Sequence, residues 1–563
     1  MTGLAGSRPW LRYLPIFHWL AQYRAAWLRH DLVAGITLAA YAIPVSLAYA
    51  GLAGLPLAAG VYGYLLGGLG YAVFGSSRQL AVGPTSAISL MLAATVADMA
   101  GGDAQHYALI ASLAAFTVAV LCLCAWALHL SMVVRLISDS ILVGFKAGAG
   151  LVIAMTQLPS LIGVPGGGHN FFERLVLFMA QIGEAQFLVT AISVVAIILL
   201  LLGDRLLPGK PVALVVVVVS ILAAHALALP ARGVPITGEI PAGLPSIAGP
   251  ALRLRDVEGI LPLAAGCLLL AYIESISAAR TFAAKHATSI DPRQEFLGLG
   301  AANLAAALGH GYPVAGGLSQ SAVNDKAGAR TPLALIVASM TLALCLLFLS
   351  DLLQQLPRAV LAAVVLIAVS GLLDVPALLR MRRVSRLDFY AATIALAAVL
   401  LLGILQGILL AALVSILMLI ARAARPHVAF LGRVPGTNLY SDRARHPENE
   451  LLPGVLAFRP EGALIYINSE AVLNIVLDRM RRLDPSQIRL VVCDLSAAPA
   501  LDLAGSRMLH DLHAELDRRG VALRIVGAHG SVRDLLRADG ISDKVGGVGR
   551  EVTLLGLLGS KEP

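Results

Sequence analysis

VGPTS (Val82–Ser86) and GYPVAGGLSQS (Gly311–Ser321) are the two stretches that decide the fold of this chain. Each interrupts a strongly apolar segment with Gly and Pro, and each leads into small and hydroxyl-bearing residues that predict a short half-helix. Irregular backbone at bilayer depth is tolerated only where protein buries it or a wet cavity receives it. One such break is explained by a kink that neighbouring helices stabilise. Two breaks at matching places favour a substrate site between two halves of a transporter.

The composition is that of a membrane protein. The chain has 563 residues, of which 58% are hydrophobic and 13% are charged, whereas a soluble protein carries about 25% charged residues. Apolar runs such as Phe187–Leu202 and Val212–Leu229 approach the ~20 residues needed to cross the hydrocarbon. We expect about fourteen such segments, some of them short, between Leu32 and Ala421.

Basic residues lie at the ends of the apolar runs. They precede the first span, fill one short loop and follow the last span: Arg8, Arg12, Arg24, Arg29, Arg380, Arg382, Arg383, Arg386, Arg422 and Arg425. This positive-inside pattern predicts that both termini are cytoplasmic. Residues 1–30 are then a cytoplasmic or interfacial segment and not a cleaved signal peptide. The net charge of +8 therefore gives no indication of nucleic-acid binding.

The character of the sequence changes after Pro426, where charge density rises and no run is long enough to span a membrane. Residues 426–452 are predicted to form a linker, and residues 453–560 a small cytoplasmic α/β domain. The predicted strands are Ala463–Ile467, Leu490–Asp494 and Ala522–Val526, and the predicted helices are Ala471–Leu483, Leu503–Leu516 and Ser531–Ala538. Asp502 is in position to cap the helix that starts near Leu503.

Four blocks of sequence carry a resemblance to a known family. They are AYAIPVSLAYAGLAGLPLAAGVYGYLLGGLGYAVFGSSRQLAVGPTSA (Ala40–Ala87), AYIESISAARTFA (Ala271–Ala283), the run from DPRQE through GYPVAGGLSQSAVNDKAGARTPL (Asp291–Leu333) and VVCDLSAAPALDLAG (Val491–Gly505). The first three resemble SulP-type (sulfate permease) inorganic anion transporters, and the last is similar to the core of a STAS domain.

The resemblance implies an α-helical polytopic membrane protein. Its transmembrane domain, residues 31–425, would have about fourteen spans as seven-plus-seven inverted repeats, forming a mobile core domain and a gate domain. The cytoplasmic STAS domain follows it. The resemblance also implies a homodimer, which we expect in the cytoplasmic (inner) membrane.

The two breaks predict an anion site. A helix N-terminus carries about half a positive charge and unpaired N–H groups, so two half-helices that meet there hold an anion without a full cation. Tyr41 is added because relatives often place a site-facing residue there, although tyrosine near the end of a span is also ordinary interfacial material. The predicted anion-binding residues are Tyr41, Gly83, Pro84, Thr85, Ser86, Gly317, Leu318, Ser319, Gln320 and Ser321.

Gln320 departs from the family pattern. Many relatives carry an arginine directly after the serine that corresponds to Ser319, whereas this chain has an amide, which donates hydrogen bonds but carries no charge. Lys146 and Lys285 are candidates for a replacement charge, although interfacial snorkelling explains either lysine equally well. Sulfate, bicarbonate and dicarboxylates therefore all stay open as the transported anion.

Glu274 stands inside the apolar span Leu261–Ala279. An intramembrane carboxylate is expensive and is a functional hypothesis by default, and in the family an acid here is linked to the coupling cation. Sodium-coupled relatives favour Asp with a hydroxyl one turn later, whereas this chain has Ala278 there, so we expect H+ rather than Na+. The alternative is a structural bond from Glu274 to Arg280 or to the half-helix backbone.

These features together predict a secondary active transporter of an oxyanion, either an H+ symporter or an anion exchanger, that works by alternating access. The alternative is a passive anion channel or a regulatory membrane protein of the same fold. An enzyme is not expected, because no nucleophile–base motif or His/Cys/Asp cluster stands out, and neither a cofactor nor a metal ion is expected. No G-x-x-x-x-G-K-[ST] loop occurs, so an ATP-driven pump has no support.

Overall fold

The computed structural model describes residues 13–130, 138–168, 170–207, 211–238, 243–250, 253–483 and 488–558. They form two compact units, Met1–Ser415 and Ile416–Pro563. Of the predicted N-terminal segment 1–30, residues 1–12 lie outside the described residues.

The first unit consists of helices on either side of a central loop. Before the loop the chain forms α1 (Pro15–Ala21), α2 (Leu28–Leu52), α3 (Leu57–Phe74), β1 (Val82–Gly83), α4 (Ser86–Ala100), α5 (Ala104–Ala127), α6 (Asp139–Ile162), α7 (Phe171–Gln181), α8 (Phe187–Leu206) and α9 (Val212–Ala226). After the loop it forms α10 (Leu254–Lys285), α11 (Pro292–Leu308), β2 (Ala315–Gly316), α12 (Leu318–Lys326), α13 (Leu333–Phe348), α14 (Ser350–Leu353), α15 (Arg358–Ser370), α16 (Val375–Val384), α17 (Arg386–Leu402) and α18 (Ile404–Ala424), whose residues after Ser415 belong to the second unit. Short 3-10 helices occupy Ala25–Trp27, Ile182–Glu184 and Leu229–Arg232.

The helical membrane fold predicted from the sequence is confirmed. Within the described ranges, eight helices are long and apolar enough to cross a membrane, and three shorter apolar helices occupy Ser86–Ala97, Val212–Ala226 and Leu333–Phe348. The helices α1, α7, α14 and α16 are short and are left out of the following count. The described residues then form seven helices before the central loop and seven after it. The half-helices α4 and α12 are each the third helix of their set.

The packing of the two sets repeats. Helix α2 packs on α13 as α10 packs on α5, α4 packs on α10 as α12 packs on α2, and α15 packs on α8 as α17 packs on α6. Because each set has an odd number of helices, the second set enters the bilayer from the side opposite to the first. This is the arrangement of an inverted repeat.

The helices fall into two groups by their packing partners. We define the core group as α2, α3, α4, α5, α10, α11, α12 and α13, which pack mainly on one another, and the gate group as α6, α8, α15 and α17. Close packing in the core group depends on small residues, as expected for helices in lipid. At Gly70 of α3, for example, a Cβ would lie 2.5 Å from the carbonyl oxygen of Ala301 in α11.

The second unit is an α/β domain. Its strands are β3 (Val428–Arg433), β4 (Tyr440–Asp442), β5 (Val455–Pro460), β6 (Leu490–Asp494) and β7 (Ala522–Val526), and its helices are α19 (Ser469–Arg481), α20 (Leu503–Asp517), α21 (Gly530–Ala538), α22 (Ile541–Lys544) and α23 (Leu554–Leu558). The five strands form one sheet in the order β4-β3-β5-β6-β7, in which β5, β6 and β7 are parallel. The predicted cap is confirmed, since Asp502 Oδ1 accepts from the N–H of Gly505 at 2.8 Å.

Two predictions for this domain are wrong. Residues 426–452 are not simply a linker, because β3 and β4 lie within them and residues such as Val428 and Leu431 are buried. The apolar run 463–467 is not a strand. Leu464 makes one isolated bridge to Leu501 and fills the core, whereas Tyr466 is 76% exposed. Buried apolar side chains therefore come here from a turn, and the strand is β5, just before it.

Candidate functional site

The two sequence breaks meet and pair with each other. Strands β1 and β2 form an antiparallel pair in which Val82 lies opposite Gly316 and Gly83 opposite Ala315. Helix α4 begins three residues after β1, and α12 begins two residues after β2. The N-termini of the two half-helices are therefore held close together.

Polar side chains of α10 and α11 satisfy the backbone of the second break. Ser275 Oγ accepts a hydrogen bond from the N–H of Gly316 at 2.8 Å. Asn303 accepts from the N–H of Val314 at 2.9 Å and donates to the carbonyl of the same residue at 3.0 Å. Both side chains are completely buried. They supply the partners that irregular backbone needs at bilayer depth.

Helix α12 is also tied to the segment that precedes β1. The hydroxyl of Ser321 accepts from the N–H of Ala81 at 2.9 Å, and the amide of Asn324 donates to the carbonyl of Gln79 at 3.0 Å. The first break thus depends on side chains from the second half of the chain.

A cavity of about 150 Å³ lies where the two half-helices begin, and we call it the site cavity. Its walls are formed by α2, α4, α6, α10 and α12, by the residues just before α4 and α12, and by the end of α15 with the two residues after it. Since one water molecule takes up about 30 Å³ of the liquid, this volume suits a small oxyanion with a few waters.

Most of the predicted site residues line this cavity. They are Tyr41, Pro84, Thr85, Ser86, Gly317, Leu318, Ser319, Gln320 and Glu274. The other two predicted residues, Gly83 and Ser321, are not among the residues that line the cavity. A Cβ on Gly83 would lie 2.2 Å from Cδ2 of Tyr64, and Ser321 is fully buried with its hydroxyl bonded to Ala81.

Two oxygen atoms of the lining residues are buried without a partner. Among the described residues, neither Glu274 Oε2 nor Thr85 Oγ1 has a hydrogen bond. Leaving such an atom unpaired costs about 1–3 kcal/mol, so a proton on Glu274, or a bound ligand at either atom, would be favourable. Among the described residues, no hydrogen bond or ion pair joins Glu274 to Arg280 or to the half-helix backbone.

The two candidate replacement cations differ in their surroundings. Lys146 of α6 lines the site cavity together with Glu274. Lys285 is already paired, because its Nζ lies 2.6 Å from Oδ2 of Asp325, and His286 binds the other oxygen of that carboxylate.

Sequence reasoning did not single out Ser275 and Asn303. Their signal was nonetheless present, since a hydroxyl one residue from Glu274 and an amide within an apolar helix each need a partner in the bilayer. Tyr49 and Ser277 also line the site cavity and were not among the predicted anion-binding residues.

The chain matches the sulfate permease family over residues 28–395 and the STAS domain over residues 446–553. A probable sulfate transporter of Mycobacterium tuberculosis is 35% identical over 527 residues, which cover 93% of this chain and 94% of that protein. The chloroplastic sulfate transporter 4.1 of Arabidopsis thaliana is 30% identical and is matched over 94% of this chain and 80% of its own length.

Two solved structures share the architecture. The murine Solute Carrier 26 family member A9 anion transporter, in its inward-facing state, has a TM-score of 0.87 at 22% identity, with 96% of this chain and 92% of that chain covered. The transmembrane domain of a cyanobacterium bicarbonate transporter, BicA, has a TM-score of 0.60 at 22% identity, with 70% and 98% covered. At these identities the likeness is one of fold.

Proposed function

The chain belongs to the sulfate permease family, and from that premise we propose that it is a secondary active transporter that moves an oxyanion together with H+ by alternating access. The family consists of transporters and not enzymes. The observation that carries the proposal is the site cavity, where two half-helix N-termini and the unpaired carboxylate oxygen of Glu274 come together.

The anion binds between the two half-helices. The first N–H groups of α4 and α12 have no partner within their helices, and both helix dipoles place partial positive charge at the same cavity. The hydroxyl of Thr85, which has no protein partner among the described residues, adds a donor next to Ser86. Tyr41, Pro84, Gly317, Leu318, Ser319 and Gln320 complete the contact surface. Such donors recognise sulfate, bicarbonate or a carboxylate by geometry and charge.

Glu274 carries the coupling proton. An ionised carboxylate in the wall of this cavity repels an incoming anion, whereas a neutral carboxyl group does not. Protonation of Glu274 and anion binding therefore favour each other, and the two ligands move together. Proton coupling is preferred to Na+ coupling because no second carboxylate is found among the described residues that line the cavity.

Access to the site cavity from one side supports alternating access. A wide cavity of about 730 Å³, lined by residues such as Asp139 and Arg280, shares Lys146 and Ser277 with the site cavity. A cavity of about 600 Å³ at the C-terminal end of α2 shares no described lining residue with it. A passive channel would need an opening on both sides.

The positive-inside pattern supports a cytoplasmic N-terminus and STAS domain. Membership of the family supports a homodimer in the cytoplasmic membrane. Helix α2 then runs outward, which places the cavity of about 600 Å³ at its C-terminal end on the outer side. The wide cavity faces the cytoplasm, because it lies at the start of α6, which runs in the same direction as α2. The conformation is therefore open to the inside.

Uptake into liposomes tests the proposal. The purified full-length protein is reconstituted, and uptake of labelled sulfate, bicarbonate and fumarate is measured with and without an inward proton gradient. We expect saturable uptake of at least one anion that the gradient accelerates. Uptake at the same rate with and without the proton gradient would overturn proton coupling. A steady anion conductance under an applied voltage, without accumulation of any labelled anion, would favour the passive channel over the transporter.

A further inference from the structure

Among the described residues that line the site cavity, one carries a full positive charge, and it lies on α6. This residue is Lys146, and the other described lining residues include no arginine or histidine. It is half-buried and makes no hydrogen bond or ion pair with any residue that the structure describes. An amine that has lost part of its hydration without gaining a protein acceptor is available to an anionic ligand.

Two other cations among the described residues are placed differently. Lys285 is paired with Asp325, and Arg280 lines the wide cavity but not the site cavity. Gln320 is neutral and already engaged, since its side-chain nitrogen donates to the carbonyl of Ala315 at 3.0 Å. The half-helix α12 therefore offers the anion helix-terminal N–H groups and no full charge.

We propose that Lys146 is the cation of the anion site and that it replaces, from α6, the charge that α12 lacks at Gln320. This rests on the proposed function and deepens it, because it names the residue that sets the charge of the anion the site accepts.

The charge balance of the site links this lysine to the coupling proton. The site cavity receives Lys146 from α6, Glu274 from α10 and the phenols of Tyr41 and Tyr49 from α2, while its other lining residues do not titrate. With Glu274 ionised, the lysine and the carboxylate cancel. With Glu274 protonated, the site carries one net positive charge. An arriving proton thus frees the lysine for the anion, and loss of the proton returns the lysine to Glu274.

The position of Lys146 also gives the anion affinity a conformational dependence. Helix α6 belongs to the gate group, and both half-helices belong to the core group. The charge therefore reaches the anion across the interface between the two groups. Movement of one group along the other separates Lys146 from the half-helices, so the site binds the anion most tightly in the conformation described.

Equilibrium binding of labelled sulfate to the purified full-length protein tests the proposal at acidic and alkaline pH. The variants are Lys146→Met, Lys146→Arg and the double variant Lys146→Met with Gln320→Arg. Arg280→Met is the control, because it removes a charge that lines only the wide cavity. Melting temperatures and proteoliposome uptake are measured on the same preparations.

We expect Lys146→Met to weaken sulfate binding by about 10- to 100-fold, the range of a charge-assisted hydrogen bond. Lys146→Arg and the double variant should bind within a few-fold of wild type, since each keeps a cation at the site. Arg280→Met should bind normally.

Wild-type affinity in Lys146→Met would overturn the proposal and leave the transport function standing. An equal loss in Arg280→Met would also overturn it, because the effect would then be a general one of surface charge. Failure of the double variant, when it melts like wild type, would refute the replacement of the charge at Gln320. If the wild type binds and transports none of sulfate, bicarbonate and fumarate, the proposed function falls and the role of Lys146 falls with it.

Discussion

We predict that Ser275→Ala weakens anion binding, although Ser275 is not among the residues that line the site cavity. The hydroxyl of Ser275 accepts from the N–H of Gly316 at 2.8 Å and donates to the carbonyl of Ala271 at 2.6 Å. Alanine removes the acceptor and leaves the Gly316 N–H unpaired at a completely buried position. The carbonyl of Ala271 keeps a partner, because it also accepts the backbone N–H hydrogen bond of helix α10.

The size of the effect follows from that single orphaned donor. A buried N–H without a partner costs about 1–3 kcal/mol, and β2, which carries this N–H, leads directly into α12. If the full cost falls on the conformation that binds the anion, the dissociation constant rises by about 5- to 150-fold. Equilibrium binding of labelled sulfate in detergent measures it directly.

Ser339→Ala is the matched control. Ser339 is a serine of the core group that is 3% exposed, and it donates a 2.8 Å hydrogen bond to the carbonyl of Leu65, which belongs to neither break. Its replacement leaves no unpaired N–H, so binding should stay within about twofold of wild type. Wild-type affinity in Ser275→Ala, or an equal loss in Ser339→Ala, would refute the view that the polar anchors of the breaks hold the site together.

Two further predictions concern stability. Gly83→Ala should lower the melting temperature, because its Cβ would lie 2.2 Å from the ring of Tyr64 and such overpacking costs about 1–3 kcal/mol. Gly183→Ala, whose Cβ would meet open space, should melt like wild type, and equal melting of the two variants would contradict the steric account. In the second unit, burial raises the pKa of Asp442, but its hydrogen bonds, including one with His427, outweigh burial and hold this pKa below the usual 3.8. The contribution of Asp442 is therefore present above pH 3.8 and is lost as the pH falls through the lower folded-state pKa. Asp442→Asn should lower the melting temperature at neutral pH and not in strong acid; an equal loss at both would contradict this.

The sequence predicted the location of the site better than its construction. The Gly and Pro of each break, followed by small hydroxyl residues, predicted both half-helices, and the structure has α4 from Ser86 and α12 from Leu318. Backbone that cannot pair in lipid leaves a strong local signal. The pairing of Val82 with Gly316 leaves no such signal, because register across a long chain separation depends on tertiary packing.

The side chains that complete the site were harder to predict. Ser275 and Asn303 act on backbone far from them in sequence or beyond a turn, so their partners become visible only in three dimensions. Lys146 and Lys285 have equal standing in the sequence. They differ in three dimensions, where Lys146 lines the site cavity and Lys285 is paired with Asp325. In the second unit, the apolar run around Leu464 predicts a strand, but turns also bury apolar residues, and the sequence does not distinguish the two.

The proton that accompanies the anion tests the central claim most directly. Liposomes that contain the wild-type protein and a trapped pH-sensitive dye are given an inward sulfate gradient, and the internal pH is followed. We predict acidification in step with sulfate uptake, and we predict that Glu274→Gln takes up sulfate with no accompanying acidification. Acidification by Glu274→Gln at the wild-type ratio of protons to sulfate would contradict the account, because the proton would then travel by another residue.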